Sequence, residues 1–529
     1  MLALTALPCT ALHAQWLGGV GQDARVVPRG TMRVTVEGRL EHFDQRYDAE
    51  GNRIPAAGAL ADADLDAAAV PALAPLQALT APLGVGDVPL SLGRLTVRAD
   101  VSRAAIPVRF DLGVGARLQL TATVPYVQTH VAVSSRLNPD ASEGNLGLNP
   151  AIGGGDAAAA NDQLAAQLRA AAAALRTQAD GCAAGGSAPA CADPAAARQL
   201  ATSAEEYASS LLAVYGGQEV IGSGLVPVQS SAAGQAVLAR LSAMREQLVA
   251  YGVTGVDAAA RPAGATAPLT LTELQAVLAS PELGYLPIRN VSRYGIGDME
   301  LGARIAIREL GPTPPDAPPP TLAWRAAVGA LVRLGTGRPD DPASLLDVGV
   351  GDGQTDLEVQ AVTDLFTGRF ATSLGARYGV QLADQREMRV PSAAGAVLPD
   401  AASLMLVDRD LGDYLELELT PRFALNRFIA LAGHYRIRDK GADSYSAADG
   451  SGALPLLSAG SEGREQVVGG GIVLSTLAAY AMGEMRTPLE VWYRHTATIA
   501  GRGTQAVRAQ RDEVALRVYL DLFGRGAGH

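Results

Sequence analysis

Apolar and polar residues alternate along much of this chain. In 32–40 the even positions Met32, Val34, Val36, Gly38 and Leu40 are apolar or small, while Arg33, Thr35, Glu37 and Arg39 share the other face. A period of two places successive side chains on opposite faces of a strand. Leu95, Val97, Ala99 and Val101 alternate with Arg94, Thr96, Arg98 and Asp100, and from Val108 to Val124 the even positions are mostly apolar. The pattern returns at 299–307, 322–334, 355–366, 369–382, 413–420, 427–437, 489–499 and 513–523, and is blurred by Gly469-Gly470-Gly471 within 464–477. Near Ser102-Arg103-Ala104 the apolar phase passes from odd to even, as a β-bulge inside a single strand over 93–113 would cause. Twelve strands result.

The connections between them alternate in length. They run long (44–92), short (113–117), very long (138–296), short (310–320), medium (336–353), tight (Thr367-Gly368), long (383–411), short (421–426), long (438–463), short (478–487) and short to medium (500–509), so that long and short alternate almost without exception. Outer-membrane barrels join strands in this way, with short periplasmic turns and long extracellular loops. The chemistry of the polar face agrees, since it is rich in Arg and acids and nearly free of Lys. The candidates for lining a lumen are Arg33, Glu37, Arg39, Arg98, Arg109, Arg117, Glu300, Arg304, Arg325, Arg333, Glu358, Arg369, Arg377, Glu416, Glu418, Glu490, Arg494 and Arg517. The planar guanidinium suits paired, partly desolvated networks. The fold expected is an all-β transmembrane barrel of about twelve antiparallel strands, its backbone polar groups satisfied by closure.

Residues 138–296 break the alternation. Leu164, Leu168 and Leu175 share a helical face, Asp193-Pro194 marks a helix start, 233–251 carries a helical apolar stripe, and Thr270 with Glu273 forms a capping-box pattern. The expected organisation is therefore a signal peptide at 1–14, barrel strands one to three at 31–137, a mostly helical extracellular insertion at 138–296, and strands four to twelve at 297–523. Segment 1–14 is apolar and ends in Ala14, although it lacks a basic n-region. With Cys9 removed, Cys182 and Cys191 remain, nine residues apart between two helical segments, and a local disulfide is expected in an oxidising compartment.

The 48% hydrophobic content and mean hydropathy of +0.13 come without an apolar run long enough for a spanning helix, so the apolar residues are spread over strands. A net charge of −11 argues against nucleic acid as partner. Tyr126, Trp324, Phe370, Tyr414, Tyr435, Trp492, Tyr493, Tyr519 and Phe523 are the candidates for sparse interfacial girdles, in a chain only 5% aromatic.

Catalytic and metal chemistry find little support. Outside the expected signal peptide and the terminal residue, the histidines His42, His130, His434 and His495 share no metal-ligand spacing. Asp347, Asp352 and Asp356, with Asp340-Asp341, could form an oxygen-rich cation pocket, but an ordinary Gly/Asp turn reads more simply. Ser373 and His434 offer only a weak nucleophile pair, and no Gly-x-Ser-x-Gly elbow occurs. No cofactor, no metal and no enzyme activity are expected.

The runs Val108-Arg109-Phe110-Asp111-Leu112-Gly113 through Leu120, Val124-Pro125-Tyr126, Tyr294-Gly295-Ile296-Gly297-Asp298-Met299-Glu300-Leu301, Gly351-Asp352-Gly353-Gln354-Thr355-Asp356-Leu357-Glu358 and Tyr519-Leu520-Asp521-Leu522-Phe523 resemble a bacterial outer-membrane family named for phenol meta-pathway degradation clusters. The resemblance covers roughly 90–130 and 290–523, not the insertion, and the chain departs from it by continuing past Phe523. It implies an outer-membrane transporter of aromatic or other hydrophobic compounds. The function expected is passive uptake of small molecules through a narrow or gated lumen in the bacterial outer membrane. The partners expected are outer-membrane lipid, a small-molecule permeant and, during biogenesis, the barrel-assembly machinery. A structural or adhesive barrel with a closed lumen, whose extracellular helices bind a partner, is the alternative.

Overall fold

A computed structural model describes residues 23–139, 144–217, 224–309 and 322–522. The signal peptide expected at 1–14, with Cys9, and the terminal Phe523 lie outside the described residues. Twelve strands form a closed antiparallel barrel: β1 (Thr31–Phe43), β2 (Ser91–Gly113), β3 (Leu118–Leu137), β4 (Met299–Arg308), β5 (Ala323–Leu334), β6 (Asp356–Thr367), β7 (Phe370–Gln381), β8 (Tyr414–Ala424), β9 (Ile429–Lys440), β10 (Gly463–Ser475), β11 (Leu489–Arg502) and β12 (Gln510–Asp521). Each pairs with its neighbours in the chain, and β12 closes on β1 from Thr31↔Asp521 to His42↔Gln510. Closure leaves no open edge, which a bilayer demands. At the short-turn end, Thr367 pairs with Phe370 across Gly368-Arg369, and Gly368 takes φ +54° as a two-residue hairpin requires.

The wall reverses the usual burial of soluble proteins. Val36, Leu120, Ile305, Val359, Leu417, Ile472 and Leu516 stand on the outer surface, while Arg33, Arg325, Asp364, Arg422, Glu490 and Arg517 are buried inside. Only a lipid environment makes the apolar exterior stable, so this is the wall of an outer-membrane barrel. Among the described residues no helix is long and apolar enough to cross a membrane.

The expected bulge at Ser102–Ala104 is absent. Pairing of β2 with β3 runs without a slip from Leu95↔Leu137 to Gly113↔Gln119, and β1 with β2 keeps one register from Met32↔Leu112 to Phe43↔Val101. Odd residues of β2 face inward throughout. What changes at Ser102 is the surroundings: below it the inner face is polar and the outer face apolar, whereas above it Leu95, Val97, Ala99 and Val101 pack inward on the extracellular cap and Arg98 and Asp100 face outward. The phase change in sequence marks where the strand leaves the bilayer.

That cap has one apolar core. It unites the β1–β2 connection, with helix α1 (Ala74–Thr80), and the insertion, with α2 (Asp156–Gly181), α3 (Pro194–Tyr215), α4 (Ala232–Ala250) and α5 (Leu271–Leu278). Asp193 caps α3 by accepting from Ala196 N, with Pro194 at the first helical position, and Thr270 and Glu273 make the reciprocal capping box of α5. Leu164, Leu168 and Leu175 of α2 are fully buried. Cys182 and Cys191 are disulfide-bonded in the turn between α2 and α3.

Candidate functional site

The lumen divides into three levels. At its extracellular mouth, Thr129 on the inner face of β3 donates its hydroxyl to the Gly349 carbonyl at 3.4 Å, so the β5–β6 connection folds inward there. Arg389 fastens this connection to the others. Its guanidinium donates to the carbonyls of Pro342 (3.1 Å), Pro399 (3.1 Å) and Gly284 (2.9 Å) and stacks 3.9 Å over the Tyr285 ring. Tyr285 in turn donates its hydroxyl to Pro399 O at 2.7 Å. Towards β4, the segment Val291–Ile296 continues along β3, and Gly297-Asp298 shift its register by one residue. Asp298 accepts there from the N–H groups of Gly337 (2.8 Å) and Asp352 (3.1 Å), which ties the same connection to the wall.

The middle level is a belt of alternating charge. Arg333 lies 2.9 Å from Asp356 and 3.2 Å from Glu300. Arg377 reaches Glu416 (3.6 Å) and Glu418 (3.9 Å), and Arg436 bridges Glu465 (2.7 Å) and Glu416 (3.7 Å). Arg494 Nε donates to Glu513 at 2.7 Å, Arg39 pairs with Glu37, and Arg511 holds Glu465 at 3.1 Å. Tyr414 donates to Glu358 at 2.9 Å, and Arg109 approaches Thr123 at 3.4 Å. Apart from Arg39 with Glu37, which lie on the same strand, each pair joins neighbouring or next-neighbouring strands, the arrangement that fixes register across a polar face.

The lowest level, between the strand ends nearest the termini, is drier. Arg33 donates to Asp111 at 2.8 Å, Arg325 to Asp364 at 2.6 Å, and Arg422 to Ser373 at 2.9 Å. Arg517 lies 3.3 Å from Glu490 and 4.7 Å over the Trp492 ring. Into this layer runs the segment before β1. Ala24 N donates to Asp364 (3.0 Å), Val27 N to Gln119 (3.0 Å), and Arg304 donates to the Asp23 carbonyl (2.8 Å). Arg25 reaches Tyr519 at 3.3 Å and Glu490 at 3.7 Å. Ala24 and Val26 pack on Ala306, Ala327 and Val362 of the wall.

Of the residues expected to line a lumen, Arg33, Arg304, Arg325, Glu490 and Arg517 stand in the lowest layer, and Glu37, Arg39, Arg109, Glu300, Arg333, Glu358, Arg377, Glu416, Glu418 and Arg494 in the belt. Three lie elsewhere. Arg98 is on the outward face of β2 above the bilayer, and Arg117 and Arg369 are exposed in the β2–β3 and β6–β7 turns. Asp23, Arg25, Asp364 and Arg422 were not singled out in the sequence, and Asp111, although alternation puts it on the polar face with Arg109, was not among the candidates. Strand parity alone would have found Asp364, which shares its face with Glu358; Arg422 shares its face with Glu416 only because β8 runs on to Ala424, into the 421–426 segment expected to be a connection.

Other expectations change too. Trp492, Tyr414 and Tyr519 face the lumen instead of an interfacial girdle, whereas Tyr126, Trp324, Phe370 and Tyr493 face outward, joined by Phe110, Tyr294 and Tyr378. The acids considered for a cation pocket diverge: Asp347 pairs with Arg293 (3.1 Å), Asp340 with Arg386 (2.7 Å) and Asp356 with Arg333. Among the described residues, no group of three or more His, Cys, Asp or Glu is placed to hold a metal ion. Ser373 donates to Asp364, and His434 lies 3.2 Å from Arg494 and 3.5 Å from Glu418, so these two are engaged apart from each other.

No protein-family model and no curated protein match the chain. Among solved structures it is similar to the COG4313 outer membrane channel from Pseudomonas putida F1, at 9% identity and a TM-score of 0.42 over 95% of this chain and 100% of that one. It is also similar to the translocator domain of the autotransporter NalP from Neisseria meningitidis (7%, 0.29, 94% and 90%) and to the P. putida toluene transporter TodX (9%, 0.24, 93% and 90%). Likenesses this distant do not identify a permeant, for which the chain's own geometry is the better guide.

Proposed function

We propose that the chain is an outer-membrane channel for passive uptake of small molecules, with hydrophobic or aromatic compounds as its permeants. The observation that carries this reading is the solvated belt. Arg39 keeps 51% side-chain exposure, Arg333 27% and Arg377 25%, although all three point to the inside of the barrel. A wall that needed its charges only for register would pack them away, as the lowest layer does. Twelve strands enclose more space than the side-chain-filled barrels of eight. Water and small solutes therefore have room at mid-height, between the helical cap above and the N-terminal segment below, and both obstructions suit a gated passage.

The aromatic or hydrophobic class is supported by the resemblance of the strand motifs. On this reading outer-membrane lipid contacts the apolar exterior, and the barrel-assembly machinery inserts the chain. Solute flux into proteoliposomes tests the proposal: phenol or benzyl alcohol should enter faster than into protein-free vesicles. Equal rates for every solute would favour the structural or adhesive barrel.

A further inference from the structure

We infer that the lipid-facing wall of β4 to β7 carries a binding site for one phospholipid of the periplasmic leaflet, its phosphate held by Arg308 and one acyl chain lying in a groove above. The inference goes beyond the channel reading, since it rests on the outer wall and not on the lumen. Arg308 stands where alternation forbids it. Glu300, Arg304 and Ala306 put the even positions of β4 inside the barrel, yet the pairing with β5 slips between Ala306↔Ala327 and Arg308↔Ala326, and Ala326 faces outward. A β-bulge of this kind re-aims a side chain. Ile307 and Arg308 are consequently both exposed on the outside, at the short-turn end of the strand.

The bulge holds a guanidinium at the edge of the bilayer. Arg308 donates from Nε to the Trp324 carbonyl at 3.3 Å and lies 4.6 Å over the Trp324 ring, which is itself exposed at the height where aromatic side chains mark the membrane boundary. A planar guanidinium fixed through Nε keeps its two Nη groups for a bidentate grip on phosphate. Arg117, exposed in the β2–β3 turn, takes the Ala306 N–H on its carbonyl at 2.8 Å, so a second cation stands one strand away. Glu309, the carboxylate next in sequence, accepts from Val26 N of the lumenal segment at 3.4 Å. Above Arg308 the wall is hollow. A groove of about 600 Å³, floored by Ala303, Ala330, Ala361 and Ala376 and flanked by Ile305 and Tyr378, begins at Val328, one outward residue beyond Ala326. Positive charge at the periplasmic edge and apolar depth above it match the two halves of a phospholipid. Free phosphate matches the first half alone.

Native mass spectrometry of the folded full chain in detergent tests the site, with dioleoyl phosphatidylglycerol as the probe and dioleoylglycerol and inorganic phosphate as its two halves. The wild type should bind one phosphatidylglycerol, more tightly than either half. Arg308→Gln, a change on the exposed surface, should weaken phosphatidylglycerol by about fivefold, the contribution of one arginine at a membrane surface, and leave dioleoylglycerol unchanged. Arg308→Lys should recover only part of the loss, and Ala330→Trp, which fills the groove, should weaken both lipids. Heat-modifiable gel mobility shows which variants are folded, and Arg308→Gln decides the matter if Ala330→Trp is not. Equal phosphatidylglycerol affinity in Arg308→Gln overturns the site, as does inorganic phosphate bound as well as the lipid, or a lipid-free dimer in which a second copy fills the groove. Solute flux into proteoliposomes is independent of these results, so loss of the site leaves the channel reading in place.

Discussion

Arg325 and Asp364 face each other directly across β5 and β6, guanidinium Nε 2.6 Å from carboxylate, and both are buried. The same carboxylate accepts from Ser373 and Ala24 N and lies 3.8 Å from Arg422. Removing one partner of a buried pair leaves the other charge uncompensated, at a cost of about 3–5 kcal/mol. Asp364→Ala should therefore destabilise the barrel by about that amount, and more than Arg325→Met does, because Arg325, Ser373 and Ala24 N lose their acceptor and Arg422 a nearby opposite charge. Urea unfolding in lipid vesicles measures the difference, and equal losses would contradict it.

Leu417 stands on the lipid face of β8, between Glu416 and Glu418 of the lumen. Leu417→Arg should cost about 2–4 kcal/mol near mid-bilayer. The converse replacement, Arg98→Leu, should be nearly neutral, since that position lies outside the bilayer. Folded fractions from heat-modifiable gel mobility compare the two.

Reduction of Cys182–Cys191 should loosen the α2–α3 hairpin and leave the barrel alone. Cross-links closing short loops contribute roughly 2–3 kcal/mol, and here the stabilisation is confined to the cap. Cys182→Ser with Cys191→Ser should give faster proteolysis near 181–193 with unchanged barrel mobility on unheated gels.

Tyr285 lies in the insertion, outside the membrane, and burial pushes its hydroxyl up to about 12. The raised value exceeds the ordinary one near 10, so the stabilisation from the neutral, hydrogen-bonded phenol is complete below pH 10 and is lost as pH climbs towards 12. Docking of the 383–411 connection on the insertion should weaken in that window, seen as rising hydrogen exchange around Pro399. Tyr285→Phe should abolish the pH dependence and weaken docking at neutral pH.

Alternation made the wall legible because a closed barrel imposes one rule on every strand: apolar outside, polar inside. Arg325, Glu358 and Arg494 could be placed from parity alone. The rule fails where its cause ends. Upper β2 inverts because its inner face meets the cap and its outer face meets water, and the sequence shows the inversion at Ser102 but not the reason. Asp23 to Gly30 has no period, since it is a strap crossing the lumen and not part of a sheet, so its lumenal contacts could not be read. Trp492 and Tyr519 were misplaced by residue type, although they share parity with Glu490 and Arg517.

Single-channel conductance in planar bilayers decides whether the barrel is a gated channel, comparing the full chain with one that begins at Gly30 and so lacks the strap. A lumen closed by the strap gives small, infrequent openings from the full chain and longer, more frequent ones without the strap. Silent bilayers from both proteins, each shown to be folded by gel mobility, would contradict the gated channel.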